Sequence, residues 1–319
     1  MSKPVVVAEV VRSGFVEGHH HGSVVALEPD GSVAWSVGDA ESQVLPRSCN
    51  KPVQALGMLR AGLDLDGELL ALACASHSGE AFHLDGVRKV LASAGLDESA
   101  LQTPPDYPLD EDARDELVRS GGARTSIHMN CSGKHAAMLA TCVANGWDTA
   151  SYLSPEHPLQ AAIRGAFEDL TGEAVGMVAV DGCGAPLLST SLPGLARAFS
   201  RLSLATEGPE RRIAEAIRQH PEHVSGSRRD EARLLRAIPG AIGKAGAESV
   251  YAVGLPDGRA VALKTDDGSP RVRPVLMAEA LRRLGVLGEP GVDAAAVEGT
   301  GEVVLLGGGR PVGAVRAAF

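Results

Sequence analysis

The chain has 319 residues, 44% of them hydrophobic and 22% charged, with a formal net charge of −10 and a pI near 5.5. That is enough apolar material for a full core in one large domain or two fused lobes, and the acidic balance lacks the positive field that gathers phosphates, so no nucleic-acid partner is expected. No segment approaches the roughly twenty apolar residues that span a bilayer, and the opening, residues 1–11, is too short and too interrupted by Glu9 for a secretory core, so the expected setting is the cytoplasm, with no membrane partner.

Residues 5–11 and 23–27 are β-branched runs, and Glu28-Pro29-Asp30-Gly31-Ser32 before Val33-Ala34-Trp35 is turn chemistry, so the chain opens with antiparallel sheet. His19-His20-His21, flanked by Gly18 and Gly22, reads as a solvated loop or turn rather than a metal site. Over 51–61, Val53, Leu56, Met58 and Leu59 recur at helical spacing and Gly62 closes the pattern. A buried run over 69–75 leads to the polar cluster Ser76-His77-Ser78-Gly79-Glu80, and an amphipathic stretch over 84–94 follows. Segment 102–112 carries Pro104, Pro105 and Pro108 and reads as an extended loop, because proline disfavours helix in the residue before it.

Helices are expected over 135–144, ended by Asn145-Gly146, and over 158–170; a strand over 176–180 delivers Asp181-Gly182-Cys183-Gly184 to a loop. Helical periodicity returns over 210–220 and 230–238. A hairpin over 249–254 and 259–264 around Pro256-Asp257-Gly258, a helix over 275–284 and a strand over 302–306 close the chain. Strands first, helices in the middle and strands last define an α/β or α+β chain whose ends meet in one sheet.

The sharpest local feature is Ser48-Cys49-Asn50-Lys51 at the start of a helical pattern. Positions i and i+3 are neighbours on a helix, so hydroxyl and amine can meet. A neutral lysine there can take the serine proton, and the unpaired first N–H groups of the helix can stabilise an oxyanion. Pro52 fits the first turn, where its missing N–H is harmless. The competing reading is an N-cap serine followed by a solvated lysine. Lys244-Ala245-Gly246 is placed like the Lys-Thr-Gly element that accompanies Ser-x-x-Lys in penicillin-binding proteins and class A β-lactamases, without its hydroxyl residue. Near Lys51 it would push a proton off by like-charge repulsion; alternatively it is a surface lysine.

Five cysteines are an odd count, which argues for free thiols or metal ligands in a reducing compartment. Cys74 and Cys142 lie in apolar runs as small core residues, and Cys49 has no role beyond packing. Cys131 and Cys183 sit on glycine-rich turns and read as exposed thiols that could hold zinc with a nearby His or Lys, although no Cys-x-x-Cys spacing supports it.

Arg47-Ser48-Cys49-Asn50-Lys51-Pro52, Cys74-Ala75-Ser76-His77-Ser78, residues 130–135, Asp181-Gly182-Cys183 and Gly243-Lys244-Ala245-Gly246-Ala247, in that order, resemble the L-asparaginase II family, in particular the rhizobial-type L-asparaginases, over nearly the whole chain. Cys49, Asn50 and Ala245 depart from the usual pattern. The resemblance implies a serine β-lactamase/glutaminase-like fold, an antiparallel sheet flanked by helices, as one domain over residues 1–319 in a single body or as two lobes around an active cleft. It implies two tandems, Ser48 with Lys51 and Ser76 with Lys244, with Ser48 the nucleophile and Ser76 a helper. It implies a zinc-type metal held by Cys131, Lys134 and Cys183, with Arg47, His135 and Asp181 around the substrate. The expected substrate is L-asparagine, and the expected assembly is a homodimer. The rival readings are a glutaminase or another serine–lysine amidohydrolase of the same fold, and a thiol–metal sensor whose serine–lysine pair is incidental.

Overall fold

A computed structural model describes residues 5–319; residues 1–4, part of the opening read above for targeting character, lie outside the described residues. In chain order the strands and helices are β1 (Val6–Arg12), β2 (Phe15–Leu27), β3 (Val33–Val37), α1 (Lys51–Arg60), α2 (Gly67–Ala73), α3 (Ala81–Ser93), α4 (Glu111–Arg119), α5 (Ser132–Asn145) and α6 (Pro158–Thr171). They continue as β4 (Val178–Val180), β5 (Pro186–Leu188), α7 (Leu192–Leu204), α8 (Gly208–Gln219), α9 (Pro221–Val224), α10 (Asp230–Ala237), β6 (Ile242–Gly246), β7 (Val250–Gly254) and β8 (Ala260–Thr265). The last are α11 (Arg273–Arg283), α12 (Ala294–Thr300), β9 (Val303–Gly307) and β10 (Arg310–Ala317). No helix among the described residues is long and apolar enough to cross a membrane.

The chain divides into two compact units, one of Met1–Cys49, Thr190–Leu204 and Arg233–Phe319, the other of Asn50–Ser189 and Ala205–Ala232. The first holds an antiparallel sheet in the order β6-β7-β8-β2-β1-β10-β9, with β3 paired to β2. β1 pairs with β10, Ala8 opposite Ala317, so the two ends of the chain share one sheet as the order of elements foretold. β2 pairs with β1 through residues 15–21 and with β8 through 22–27, and α7 and α11 lie on the sheet. Strands β6 and β7 are buried at every position; β7 is a continuous apolar run, whereas β6 carries Lys244 within its buried stretch.

The histidine run is not a loop. His19, His20 and His21 lie inside β2, where alternate residues face opposite ways; His20 is buried, and its Nδ1 lies 2.5 Å from Asp267 Oδ2. The run lacks apolar alternation because the buried His20 meets a carboxylate that reaches in from the exposed Asp267, not a packed apolar side chain.

The second unit is helical, with α1 packed on α6, α8 and α5, and α3 on α5, plus the small β4–β5 hairpin. Gly57 lets α1 approach α6 closely: a Cβ there would stand 2.6 Å from Ile163 Cα. The proline segment is extended only as far as Asp110, whose side chain caps α4 by accepting from Ala113 N. α4 was missed from sequence because it buries no residue, and its few apolar side chains, such as the exposed Val118, give no core-facing stripe.

Candidate active site

In the second unit α1 opens on Lys51, with Pro52 in its first turn. The Lys51 side chain is fully buried, and Nζ donates to Ala75 O at 2.5 Å, Ser76 Oγ at 2.9 Å and Cys131 Sγ at 3.1 Å. These three acceptors satisfy the three hydrogens of an ammonium. With Nζ deprotonated, the same distance lets the Ser76 hydroxyl donate to it. Ser76 follows α2; its N–H donates to Val224 O, and the next amide, His77 N–H, donates to Asn130 O, which ties the serine to the thiol loop. His77 Nε2 and Ser132 Oγ are 2.8 Å apart. Ser132 Oγ gives its own proton to Ile127 O, so Nε2 carries the imidazole hydrogen. Burial, then the nearby His83 and Lys51, holds His77 well below the usual histidine range, so the ring is neutral.

Cys131 is the N-cap residue of α5, which places Lys134 and His135 three and four positions on, on its own helix face. Cys183 arrives from the turn after β4, where Asp181 N–H donates to Ala185 O and Gly184 takes a φ of 88°. Lys134 Nζ donates to Cys183 Sγ at 3.1 Å. Both thiols are buried, not exposed as the glycine-rich turns suggested, because those turns fold inward over charged partners. The hydrogen bond from Cys131, reinforced by Lys134, pushes the Cys183 thiol far down, to a thiolate. Giving that bond, and burial, push the Cys131 thiol well up. Burial lowers the Lys134 amine, but attraction to Cys183 and Cys131 outweighs it and leaves the pKa above its ordinary value.

His135 Nδ1 meets the Tyr152 hydroxyl at 2.7 Å, while its buried Nε2 has no hydrogen-bond partner. Burial, against the pull of Cys183, holds the ring's pKa at about 4. Tyr152 is fully buried and was missed in the sequence, where a lone tyrosine after Ser151 carries no motif signal.

The donor set fits the metal implied above. Two thiols are ligand types zinc accepts, Lys134 would join them only as a neutral amine once the metal's charge drives off its proton, and the His135 nitrogen is an orphaned buried polar atom beside them. A tetrahedral zinc with ordinary bond lengths separates its nitrogen and sulfur ligands by about 3.6 Å, so the 3.1 Å between Lys134 Nζ and Cys183 Sγ needs only a small opening.

In the first unit, Arg47 and Ser48 begin the 3-10 turn Arg47–Asn50. Arg47 holds a φ of 51°, a left-handed conformation that costs a branched or long residue energy and recurs at functional sites. Its guanidinium lies 3.7 Å from Glu248 Oε1. Lys244, in β6, is fully buried rather than a surface lysine, and Nζ donates to Ala245 O at 2.7 Å. The Cys49 thiol donates to Lys244 O at 2.8 Å, so Cys49, given no role from sequence, fastens β6 to the Ser48 turn. Gly246 completes the contact: a Cβ there would stand 2.7 Å from Pro46 O and 3.2 Å from Ser48 N.

The structure thus brings Arg47, Ser48 and Lys244 together in one unit and Lys51, Ser76, Cys131, Lys134, His135 and Cys183, with Asp181 two residues before Cys183, in the other. Within the second, Lys51, the lysine that follows Ser48 by three residues, is also hydrogen-bonded to Ser76.

A buried lysine on a serine hydroxyl, with a second serine three residues before that lysine, is the equipment of a serine–lysine amidohydrolase. The model of the L-asparaginase II family matches residues 8–317, and the chain belongs to that family. No curated protein matches the sequence significantly. Solved structures similar to this one include a β-lactamase from Mycobacterium bovis (15% identity, 82% of this chain and 94% of that one, TM-score 0.46). Others are EstCE1, a hydrolase with promiscuous acyltransferase activity (14%, 81% and 93%, TM-score 0.43), and Mglu in its tris and glutamate form (15%, 88% and 63%, TM-score 0.38). At these scores the likenesses add nothing to the family assignment.

Proposed function

We propose that the protein hydrolyses L-asparagine to L-aspartate and ammonia through an acyl-enzyme on Ser48. The observation that carries this reading is the buried Lys51 amine at 2.9 Å from Ser76 Oγ, on a lysine that follows Ser48 by three residues, in a chain of the L-asparaginase II family. Ser48 Oγ attacks the carboxamide carbon as its proton passes to a lysine amine. Ser76, hydrogen-bonded to Lys51, relays a proton to the departing nitrogen, and ammonia leaves. Water then attacks the ester, its proton returns to Ser48, and aspartate departs. Lys244, with its carbonyl held by Cys49, is the second base of the set. Arg47 suits the substrate α-carboxylate and Asp181 its α-ammonium by charge, and His135, kept neutral by burial, contributes a hydrogen bond rather than a charge.

Cys131, Lys134 and Cys183 would hold zinc, which supplies a fixed positive charge beside the substrate. Cys131 Sγ is also an acceptor for Lys51, so the thiol cluster and the serine–lysine pair share an atom. The role proposed for the ion is auxiliary, since a nucleophile and a base are present without it. Cys131 and Cys183 act only while reduced, which supports a cytoplasmic setting, and the proposed assembly is a homodimer, checked by light scattering. The functional test is ammonia release by purified protein from L-asparagine, L-glutamine and a β-lactam side by side. Asparagine turnover alone supports the reading, and comparable efficiency on glutamine replaces it with a glutaminase.

A further inference from the structure

α8 ends at Gln219, and Pro221 starts α9, so the chain breaks at His220, whose backbone leaves the helical region at φ −131° and ψ 54°. The break turns the His220 ring against His223, with ring centroids 5.5 Å apart and planes at 89°. One donor atom from each of His220, Glu222 and His223 lies within 4.8 Å of the other two. His223 Nδ1 is 3.4 Å from Glu222 Oε1, yet that buried nitrogen makes no hydrogen bond. A nitrogen and an oxygen bound to one tetrahedral zinc stand about 3.4 Å apart, so the pair has the spacing of two ligands rather than of donor and acceptor. On the other side of the ring, His223 Nε2 lies 3.9 Å from Glu68 Oε2, from α2. At that distance the carboxylate makes no hydrogen bond but by its charge favours the proton on Nε2, which leaves the Nδ1 lone pair for an ion.

We propose that His220, Glu222 and His223 form a zinc site of their own, separate from the thiol cluster, with the Glu68 carboxylate facing His223 from α2. Two imidazoles and one carboxylate favour zinc over calcium or magnesium, which require more oxygen ligands. The segment that would hold the ion backs the serine relay. Val224 O accepts from Ser76 N–H at 3.0 Å, Glu222 O is 2.9 Å from His83 Nε2, and Ser225 O accepts from Ser78 Oγ at 2.9 Å. An ion joining the end of α8 to α9 therefore stiffens the strip of backbone on which Ser76 rests.

The test uses the full chain carrying Cys131→Ser and Cys183→Ser, which removes the thiol cluster, titrated with zinc chloride in a calorimeter. The expected result is one equivalent bound with micromolar affinity or tighter, weakened roughly tenfold or more by His220→Ala with His223→Ala. Glu222→Gln, a milder change, gives the same direction with an unaltered circular dichroism spectrum. In the protein with its thiols intact, zinc slows hydrogen exchange at the Ser76 amide, and His220→Ala with His223→Ala abolishes that slowing. Zinc uptake unchanged by the histidine and glutamine substitutions, uptake only at millimolar metal, or equal uptake of calcium overturns the site. Zinc binding without protection at Ser76 overturns the link to the relay.

Discussion

Replacing Lys51 by methionine separates chemistry from stability. The side chains are close in volume, so the buried slot stays filled. The ammonium gives up three hydrogen bonds, to Ala75 O, Ser76 Oγ and Cys131 Sγ. Bonds to a charged group contribute about 1.5–3 kcal/mol each, a loss on the order of 4–9 kcal/mol. Against it stands the relief of an ion held out of water, itself several kcal/mol, so the net change is on the order of a few kcal/mol and the protein stays folded. Turnover has no such compensation, because methionine neither accepts a proton nor polarises Ser76. Loss of a positioned base costs about 10²–10⁴ in rate. Residues that act as one unit lose activity non-additively, so Ser48→Ala combined with Lys51→Met resembles the slower single variant. The assay is steady-state ammonia release beside a urea melt of the same preparations. Folded Lys51→Met that keeps more than roughly a tenth of wild-type turnover refutes the assignment of Lys51 to the chemistry.

Ser48→Ala lowers asparagine turnover by several orders of magnitude in a folded protein, and mass spectrometry of a quenched reaction finds no acyl adduct on its peptide. Gly246→Ala drives a methyl against Pro46 O and Ser48 N and lowers stability by about 1–3 kcal/mol, together with activity, read by urea melts and ammonia release. Cys131→Ser or Cys183→Ser removes thiol-bound zinc, measured by elemental analysis on protein also carrying His220→Ala and His223→Ala, and raises KM more than it lowers kcat. His135 and His83 have pKa values held down to about 4 and His77 lies well below its ordinary value, burial being the main cause in each. The unfolded chain therefore binds protons near pH 6.5 that the folded one refuses, so stability is full above that pH and falls as pH drops from 6.5 toward 4. The slope is at most about 1.4 kcal/mol per pH unit for each histidine, and urea melts of chelator-treated protein across that window check it. L-Asparagine exceeds L-glutamine chiefly in kcat, since an apolar pocket resolves one methylene by only about 1–3 kcal/mol and the remainder must come from misplacing the carbonyl.

The sequence by itself settled what repeats at short range. The 3.6-residue spacing of Val53, Leu56 and Leu59 gave α1, Pro256-Asp257-Gly258 gave the β7–β8 hairpin, and strands at both ends gave a shared sheet. Five separated motifs in order carried the family, and the match over residues 8–317 agrees. Tertiary structure brought Lys51 to Ser76, because the two are joined by packing around α1, not by spacing in the chain. It also decided burial: Cys131 and Cys183 stand on turns that look exposed, yet those turns close over Lys51 and Lys134, and the hydrogen bond between the two thiols, reinforced at Cys183 by Lys134, sets which one ionises. His20 entered the sheet because Asp267, 247 residues away in sequence, met it there, and Tyr152 found His135 across a gap of 17. Local periodicity reports which face of an element is apolar, but the partner of a buried polar group is chosen by whichever distant segment the fold brings to it.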